Sequence, residues 1–335
     1  MIKPRDIVPF YFPSSVVFID DNANYLANLA LALDPDLACQ LHSNPLVSLA
    51  ELNRTAPASA LVARYCSLFQ FQERPAPGQR LIEFDLERVL REVYNPNRFD
   101  QVTVLVIDYA MPGLDGLEYC RHVRDPAVKK ILLTGKADEK LAVQAFNQGL
   151  IDRFLPKQAP DLVARLSQDI QALQQAYFRD LTQPLANALA LDSHAFLRDE
   201  AFSGWFAALC RRLGIVEHYV HADPGGLLLL DADANAQLLV VLSEEDLVAQ
   251  HDEAFDLGAP SQVLEALRRG SGLLYRGAQW LPGQGDGNWM AALYPAEEFQ
   301  GRDVYYHALI PRPAGVRREV VRSYRRHLER LDCAG

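Results

Sequence analysis

Residues 102–108 read VTVLVID, a nearly unbroken run of apolar and β-branched residues that stops at an acid. Such a run is typical of a parallel strand buried on both faces. The same signature recurs on either side. VVFIDD at 16–21 is a β-branched run ending in Asp20 and Asp21. KILLT at 130–134 and IDRFL at 151–155 are two further short apolar segments. A shorter strand is expected near Leu37–His42. Between these runs the apolar spacing changes to three and four residues. Residues 22–33 carry Leu26, Leu29, Ala30 and Leu33 on one side, and helices are also expected around 46–52, 114–124 and 138–148. Gly149 is a natural stop for the last of them. Short apolar strands alternating with helices predict a doubly wound α/β domain with a five-stranded parallel sheet. Ligands of such folds sit at the carboxyl ends of the strands. Asp20, Asp21 and Asp108 all fall there.

Carboxylates crowded at strand ends disfavour one another's ionisation. A hard divalent cation resolves the conflict, and Mg²⁺ favours one or two carboxylates with phosphate and water. Asp21 and Asp108, with Asp20 close by, are therefore candidate Mg²⁺ ligands. A strand-end acid is also a common helix N-cap, which is the bland alternative for each one taken singly.

VVFIDD, LVIDYAMPGLDG, ILLTG and FLPK, in that order, resemble the bacterial receiver (chemotaxis-regulator-like) family of two-component response regulators, over roughly residues 14–175. The resemblance implies a flavodoxin-like fold and a phosphoacceptor at Asp108. It implies that Asp20 and Asp21 help bind Mg²⁺ and that the backbone carbonyl of Ala110 completes the metal shell. Thr134 would contact the attached phosphoryl group, and Lys157 would pair with it. Phe154 would be the aromatic residue that swings on activation. The donor would be a phosphohistidine of a sensor histidine kinase or phosphotransfer protein. Two features depart from the family. Proline precedes the lysine here, in Pro156-Lys157-Gln158, where the family has it following, often after a cis bond. Asp21 and Asp108 also lie unusually far apart, and the excess falls in residues 54–98. That stretch reads as a helical insertion, with loop signals in TAPASA and ERPAPGQ, apolar Leu68, Phe69 and Phe71, and a helix over 81–94 ended by Asn95-Pro96.

The remaining composition narrows the class. The chain has 335 residues and a net charge of −10. Nucleic-acid affinity rests on cations displacing counterions from phosphates, so this charge argues against DNA binding. Basic residues gather at Arg317–Arg330, as a solvated helix face or a docking patch. Five scattered cysteines, with no CxxC spacing, suit a reducing compartment, and a cytoplasmic protein is expected. The N-terminus has no secretory pattern, and the most apolar stretch, Leu227–Leu242, is interrupted by Asp231 and Asp233, so no membrane span is expected.

The expected organisation is an extension at 1–13, a receiver at 14–160, a linker helix at 160–189 and a second domain at 190–335. In the linker helix Leu162, Leu166, Ile170, Leu173, Tyr177 and Leu181 recur every three or four residues. Its first half should pack on the receiver sheet. Its second half is a possible homodimer seam, as is the insertion, and Pro184 should end or kink it. The second domain reads as α+β with an antiparallel sheet. It opens with a helix at Phe202–Leu213, followed by strands at 217–221, 227–231 and 237–242, a helix at Ser243–Phe255 and strands at 289–294 and 304–310. It contains no lysine, no helix-turn-helix and no phosphate-binding loop of known spacing; GQGDGN at 283–288 reads as a loop. Its histidines form no metal motif. Two outputs remain open, a protein-interaction or dimerisation module that relays phosphorylation, and a small-molecule or nucleotide-binding, possibly degenerate enzymatic, domain.

Overall fold

A computed structural model describes residues 6–54, 65–68, 82–135, 138–190, 194–277 and 287–332. Phe69, Phe71 and most of GQGDGN lie outside them.

The apolar runs form one five-stranded parallel sheet. Its strands are Ser15–Ile19, Cys39–His42, Val102–Asp108, Lys129–Thr134 and Arg153–Pro156. In sheet order they run second, first, third, fourth, fifth, all parallel. This is the flavodoxin-like, doubly wound arrangement. Alternate side chains go to opposite faces. Val17, Ile19, Leu105, Ile107 and Leu132 pack with Leu52, Leu117, Cys120, Ala142 and Ala145 from the helices Pro45–Leu52, Gly116–His122 and Glu139–Asn147. Val16, Phe18, Val104, Val106, Ile131 and Leu133 pack on the other face with Leu26 and Leu29 of the helix Ala23–Ala32. Leu166, Ile170 and Leu173 of the long helix Leu162–Leu189 cover the same face, as its spacing predicts. Burial of each of these leucines contributes roughly 2–3 kcal/mol.

A separate six-stranded antiparallel sheet occupies the rest of the described chain. Its order is Phe10–Tyr11, Ile215–His221, Gly226–Asp231, Ala236–Ser243, Val304–Pro311 and Glu297–Gln300. The helix Glu200–Leu213 leads into it and stops at Gly214, whose φ of 64° is the left-handed geometry that glycine adopts most easily. The helix Glu244–Asp256 starts from a capping box in which Ser243 and Asp246 satisfy each other's backbone N–H. Leu238, Val240 and Leu242 pack against Leu247 and Ala254 of that helix and Val263 and Leu267 of the helix Ser261–Arg268.

The chain falls into two compact units, each gathered from separate stretches. One comprises Phe12–Leu81, Pro96–Leu181 and Tyr324–Gly335, and the other Met1–Tyr11, Ile82–Asn95 and Thr182–Ser323. Three segments thus lie outside the boundaries expected from sequence. Phe10 and Tyr11 pair with Tyr219 and His218, extending the antiparallel sheet, and Val220 N–H donates to Pro9 O at 2.7 Å. Residues 82–95 form the strand Ile82–Phe84, the helix Leu86–Arg91 and a 3₁₀ turn, in place of one helix over 81–94, and the helix packs on the strand Ile215–His221. The helix Tyr324–Asp332 belongs with the parallel sheet. Tyr324 Oη donates to Asp36 O at 2.6 Å and accepts from Ala38 N–H at 3.1 Å, and Arg330 pairs with Asp100 at 2.6 Å. Part of the C-terminal basic cluster is therefore engaged within its own unit.

Two further expectations are corrected. Pro184 neither ends nor divides the long helix, which runs on to Leu189; proline removes only one intrahelical donor. WMAALY at 289–294 is mostly helical, as Gly287–Ala292, and only Leu293–Pro295 is a strand, paired with Gly272–Leu274. Trp289 and Ala292 are buried, so an apolar run this short satisfies either period.

His218 ties the N-terminal strand down. Its Nε2 lies 2.9 Å from Val8 O, and its ring stacks on Tyr11 and meets Phe206 edge-on. Burial pushes its pKa down to about 4. Between that value and the ordinary 6.5 the unfolded chain binds a proton that the folded chain refuses. The stabilisation is therefore complete above pH 6.5 and is lost as pH falls toward 4, by up to about 3 kcal/mol. Denaturant titrations at pH 7 and 4.5 should show a loss in the natural chain that is smaller in His218→Gln.

Candidate functional site

The first and third strands of the parallel sheet end side by side, with Ile19 registered against Ile107. This brings Asp20, Asp21 and Asp108 together, each offering an oxygen within 4.8 Å of the others. Asp20 and Asp108 are buried, at 2% and 6% exposure, and Asp21 is exposed. None of the three caps the helix that follows it. Asn22 caps Ala23–Ala32 by accepting from Tyr25 N–H, and Asp115 caps Gly116–His122 by accepting from Glu118 N–H. The strand-end acids are thus left over from helix capping, the alternative the sequence offered for them.

The fifth strand supplies the counter-charge. Lys157 follows it directly, and its N–H donates to Thr134 O at 2.9 Å, continuing the ladder between fourth and fifth strands. Its Nζ donates to Asp20 Oδ2 at 2.6 Å and lies 2.9 Å from Asp108 Oδ1. The Lys157–Gln158 bond is trans; Asp223–Pro224 is the one cis peptide among the described residues. The lysine thus reaches the acids despite the displaced proline.

Burial pushes the Asp108 carboxyl above its usual range, and Asp20 adds to this, while Lys157 and a hydrogen bond with the Ala110 backbone pull the other way. Burial opposes the charge on Lys157, but its bonds to Asp20 and Asp108 prevail and hold its pKa above the ordinary lysine value. One ammonium pairs with two of the three carboxylates, so the cluster has room for further positive charge. Lys157→Met should lower stability by about 3 kcal/mol in chelator, because two buried carboxylates lose their partner. Denaturant titration with EDTA measures this; an unchanged midpoint would mean that Asp108 simply takes up a proton.

Thr134 ends the fourth strand and is fully buried, and its Oγ1 has no hydrogen-bond partner. A buried hydroxyl left unpaired is costly and calls for explanation. Phe154 is partly buried at the edge of the core, its ring 6.3 Å from Phe146 and edge-on to it. The turn after Asp108 depends on Gly116, whose N–H donates to Tyr109 O at 2.9 Å. A Cβ on Gly116 would stand 2.4 Å from the backbone oxygen of Asp108. The glycine therefore allows the helix Gly116–His122 to start hard against the acid. Ala110 lies exposed at the start of this turn.

Sequence reasoning missed Tyr25. Its ring lies under the Lys157 ammonium, with Nζ 4.6 Å from the centroid, and its hydroxyl is buried without a partner. Tyr25 stands four residues after Asp21, one helical turn beyond the strand end, and that spacing is the signal that could have found it.

The sheet order and the cluster at its edge define a response-regulator receiver, and the chain belongs to the response regulator family. Residues 84–167 match the family model for the response regulator receiver domain. That stretch begins within the insertion at 54–98, so the first strand with Asp20 and Asp21 precedes it. In particular, the chain is similar over nearly its whole length to the Legionella pneumophila response regulator LqsR, with 36% identity, a TM-score of 0.78, and coverage of 98% of this chain and 97% of that one. It is also 31% identical over 100 residues to the transcriptional regulatory protein ResD of Bacillus subtilis, covering 29% of this chain and 41% of ResD. With the cyclic di-GMP phosphodiesterase response regulator RpfG of Xanthomonas campestris the identity is 38% over 81 residues, 23% of this chain and 21% of RpfG. The chain thus spans less than half the length of these last two relatives.

Proposed function

We propose that this protein is a phosphorylation-dependent response regulator that accepts a phosphoryl group on Asp108 from a histidine kinase or phosphotransfer protein. The observation that carries the reading is the meeting of Asp20, Asp21, Asp108 and Lys157 around one strand edge, with the unpaired Thr134 hydroxyl beside them.

The donor set suits Mg²⁺, which is a hard cation held by carboxylate, carbonyl and phosphate oxygens. Asp20, Asp21, Asp108 and the Ala110 carbonyl would hold it. When bound, it supplies positive charge to the phosphoryl oxygens. The protein's own groups do the rest by position and charge. A carboxylate oxygen of Asp108 attacks phosphorus in line. The Asp108 O–P bond forms as the P–N bond of the donor phosphohistidine breaks, and the nitrogen leaves with the bonding pair. Lys157 moves from pairing carboxylates to pairing phosphoryl oxygens. The Thr134 hydroxyl gains an acceptor, and Phe154 turns into the space it vacates. Phe154 meets Phe146 edge-on, and Phe146 lies beside Val143, three residues earlier, with both exposed on the helix Glu139–Asn147. Repacking at the site therefore has a route to a surface that suits a partner or a second copy of the chain. The linker-helix seam is less suited to this, because Leu185 and Leu189 are already buried.

The decisive experiment is incubation with acetyl phosphate followed by intact mass measurement. One added phosphoryl group per chain is expected with Mg²⁺ and none with EDTA; a mass unchanged under both conditions would reject the reading.

The second unit serves as the output, and a protein-interaction module is the first reading. A second reading, a small-molecule site, is favoured by a cavity of about 880 Å³ within that unit. Ligand pockets fall in the same size range. Leu228, Leu238 and Leu242 contribute apolar lining, and Tyr94 and Tyr275 pin the loop 313–317 at its edge through hydrogen bonds to Gly315 O and Ala314 O. A cytoplasmic location follows from the proposed donor. It agrees with the free thiols of Cys39, Cys120 and Cys210, and no described helix is long and apolar enough to cross a membrane. DNA is not proposed as a partner, given the charge of −10.

A further inference from the structure

Lys157 is a long, flexible side chain on the loop after the last strand, and it must hold one position to bridge two carboxylates. Its Nζ spans Asp20 at 2.6 Å and Asp108 at 2.9 Å. The third neighbour of that ammonium is the Tyr25 ring, at 4.6 Å from the centroid. Tyr25 is itself fixed from below. Its N–H is bonded to the Asn22 cap at 3.0 Å, and its ring packs against the core cluster around Leu26 and Leu29. The rigid first turn of one helix thus presents an aromatic face to a cation on a separate loop. An ammonium over an aromatic face is attracted by the ring quadrupole, most strongly where water is kept away. Lys157 is only a quarter exposed.

We propose that Tyr25 is a positioning residue for phosphotransfer: its ring holds the Lys157 ammonium in the place where it meets the incoming phosphoryl oxygens. This rests on the phosphoacceptor reading of Asp108. In this role Tyr25 acts through Lys157. The ring is the working part, since the hydroxyl has no partner. Removing the ring leaves the lysine free to swing toward water, a loss paid again at every turnover.

The test is a double-mutant cycle on the full chain, with Tyr25→Phe, Tyr25→Leu, Lys157→Met and the Tyr25→Leu/Lys157→Met pair. Initial rates of phosphorylation by acetyl phosphate in Mg²⁺ are compared with melting in EDTA. Tyr25→Phe should keep its rate within about twofold, and Tyr25→Leu should fall by roughly fivefold, the effect of about 1 kcal/mol of cation–π attraction. The pair should be no slower than Lys157→Met alone, because contacts acting through one group are not additive. Melting in EDTA should show the same coupling and needs no phosphoryl transfer. Additive rates, a Tyr25→Leu rate equal to that of the natural chain, or a Tyr25→Phe rate as low as that of Tyr25→Leu would each overturn the proposal. If the natural chain takes no phosphoryl group, the phosphoacceptor reading fails and the positioning role falls with it, while the melting cycle still reports whether ring and ammonium attract.

Discussion

Asp108→Asn is expected to abolish phosphorylation by acetyl phosphate in the presence of Mg²⁺, to below the detection limit of intact mass measurement. The amide keeps the shape of the carboxylate but loses its charge and its nucleophilic oxygen pair. No neighbour is placed to replace it. Asp20 is held by Lys157 and by Asn22 N–H at 2.9 Å, and Asp21 lies exposed outside the strand edge. The same substitution should not unfold the protein. It removes one of three mutually repelling carboxylates, and the carboxyl it replaces is already pushed above its usual range by burial. Loss of phosphorylation with an unchanged or higher melting temperature in EDTA is therefore the expected pair of results. Substantial residual labelling of Asp108→Asn would move the phosphoacceptor elsewhere.

A fragment comprising residues 190–323 is expected not to fold on its own, although it contains most of the antiparallel sheet. It lacks the strand Phe10–Tyr11, which pairs with Ile215–His221, and the helix Leu86–Arg91, which packs on that same strand. Phe10, Val89 and Val93 are all fully buried or nearly so. Losing three such side chains removes about 4.5–9 kcal/mol of burial, by the usual 1.5–3 kcal/mol for each. A domain's whole stability is only about 5–15 kcal/mol. The fragment also exposes an unpaired strand edge, which invites aggregation. Circular dichroism melting should show no cooperative transition for the fragment and a clear one for the full chain. A fragment that melts cooperatively would mean that these segments are appendages.

The parallel sheet was legible because its strands are buried on both faces and announce themselves without periodicity. The site was legible because its acids and its hydroxyl sit at strand ends, where the order of the chain fixes their place. Other features had no local signal. A two-residue strand such as Phe10–Tyr11 has no period to detect, and its partner lies some two hundred positions away in the sequence. Residues 81–94 read as one helix, but their first residues form the strand Ile82–Phe84, and nothing in them says which sheet they cover. The six residues WMAALY fit a strand or a helix equally, and tertiary packing chose helix for most of them. Tyr25 was hidden by its ordinary appearance, an aromatic residue in the first turns of an amphipathic helix.

The exchange of segments between the two units also sets an order of events during synthesis. The ribosome makes the N-terminal strand first, but its partner Ile215–His221 emerges only after the whole parallel sheet has been translated. Conversely, the helix Tyr324–Asp332, with Tyr324 bonded to Asp36 and Ala38, is translated only after the whole antiparallel sheet. Domains commonly complete themselves one after another as they leave the ribosome. Here the parallel-sheet unit lacks its helix Tyr324–Asp332 until the whole antiparallel sheet has been made, so the nascent chain carries that unit incomplete while the other is being synthesised.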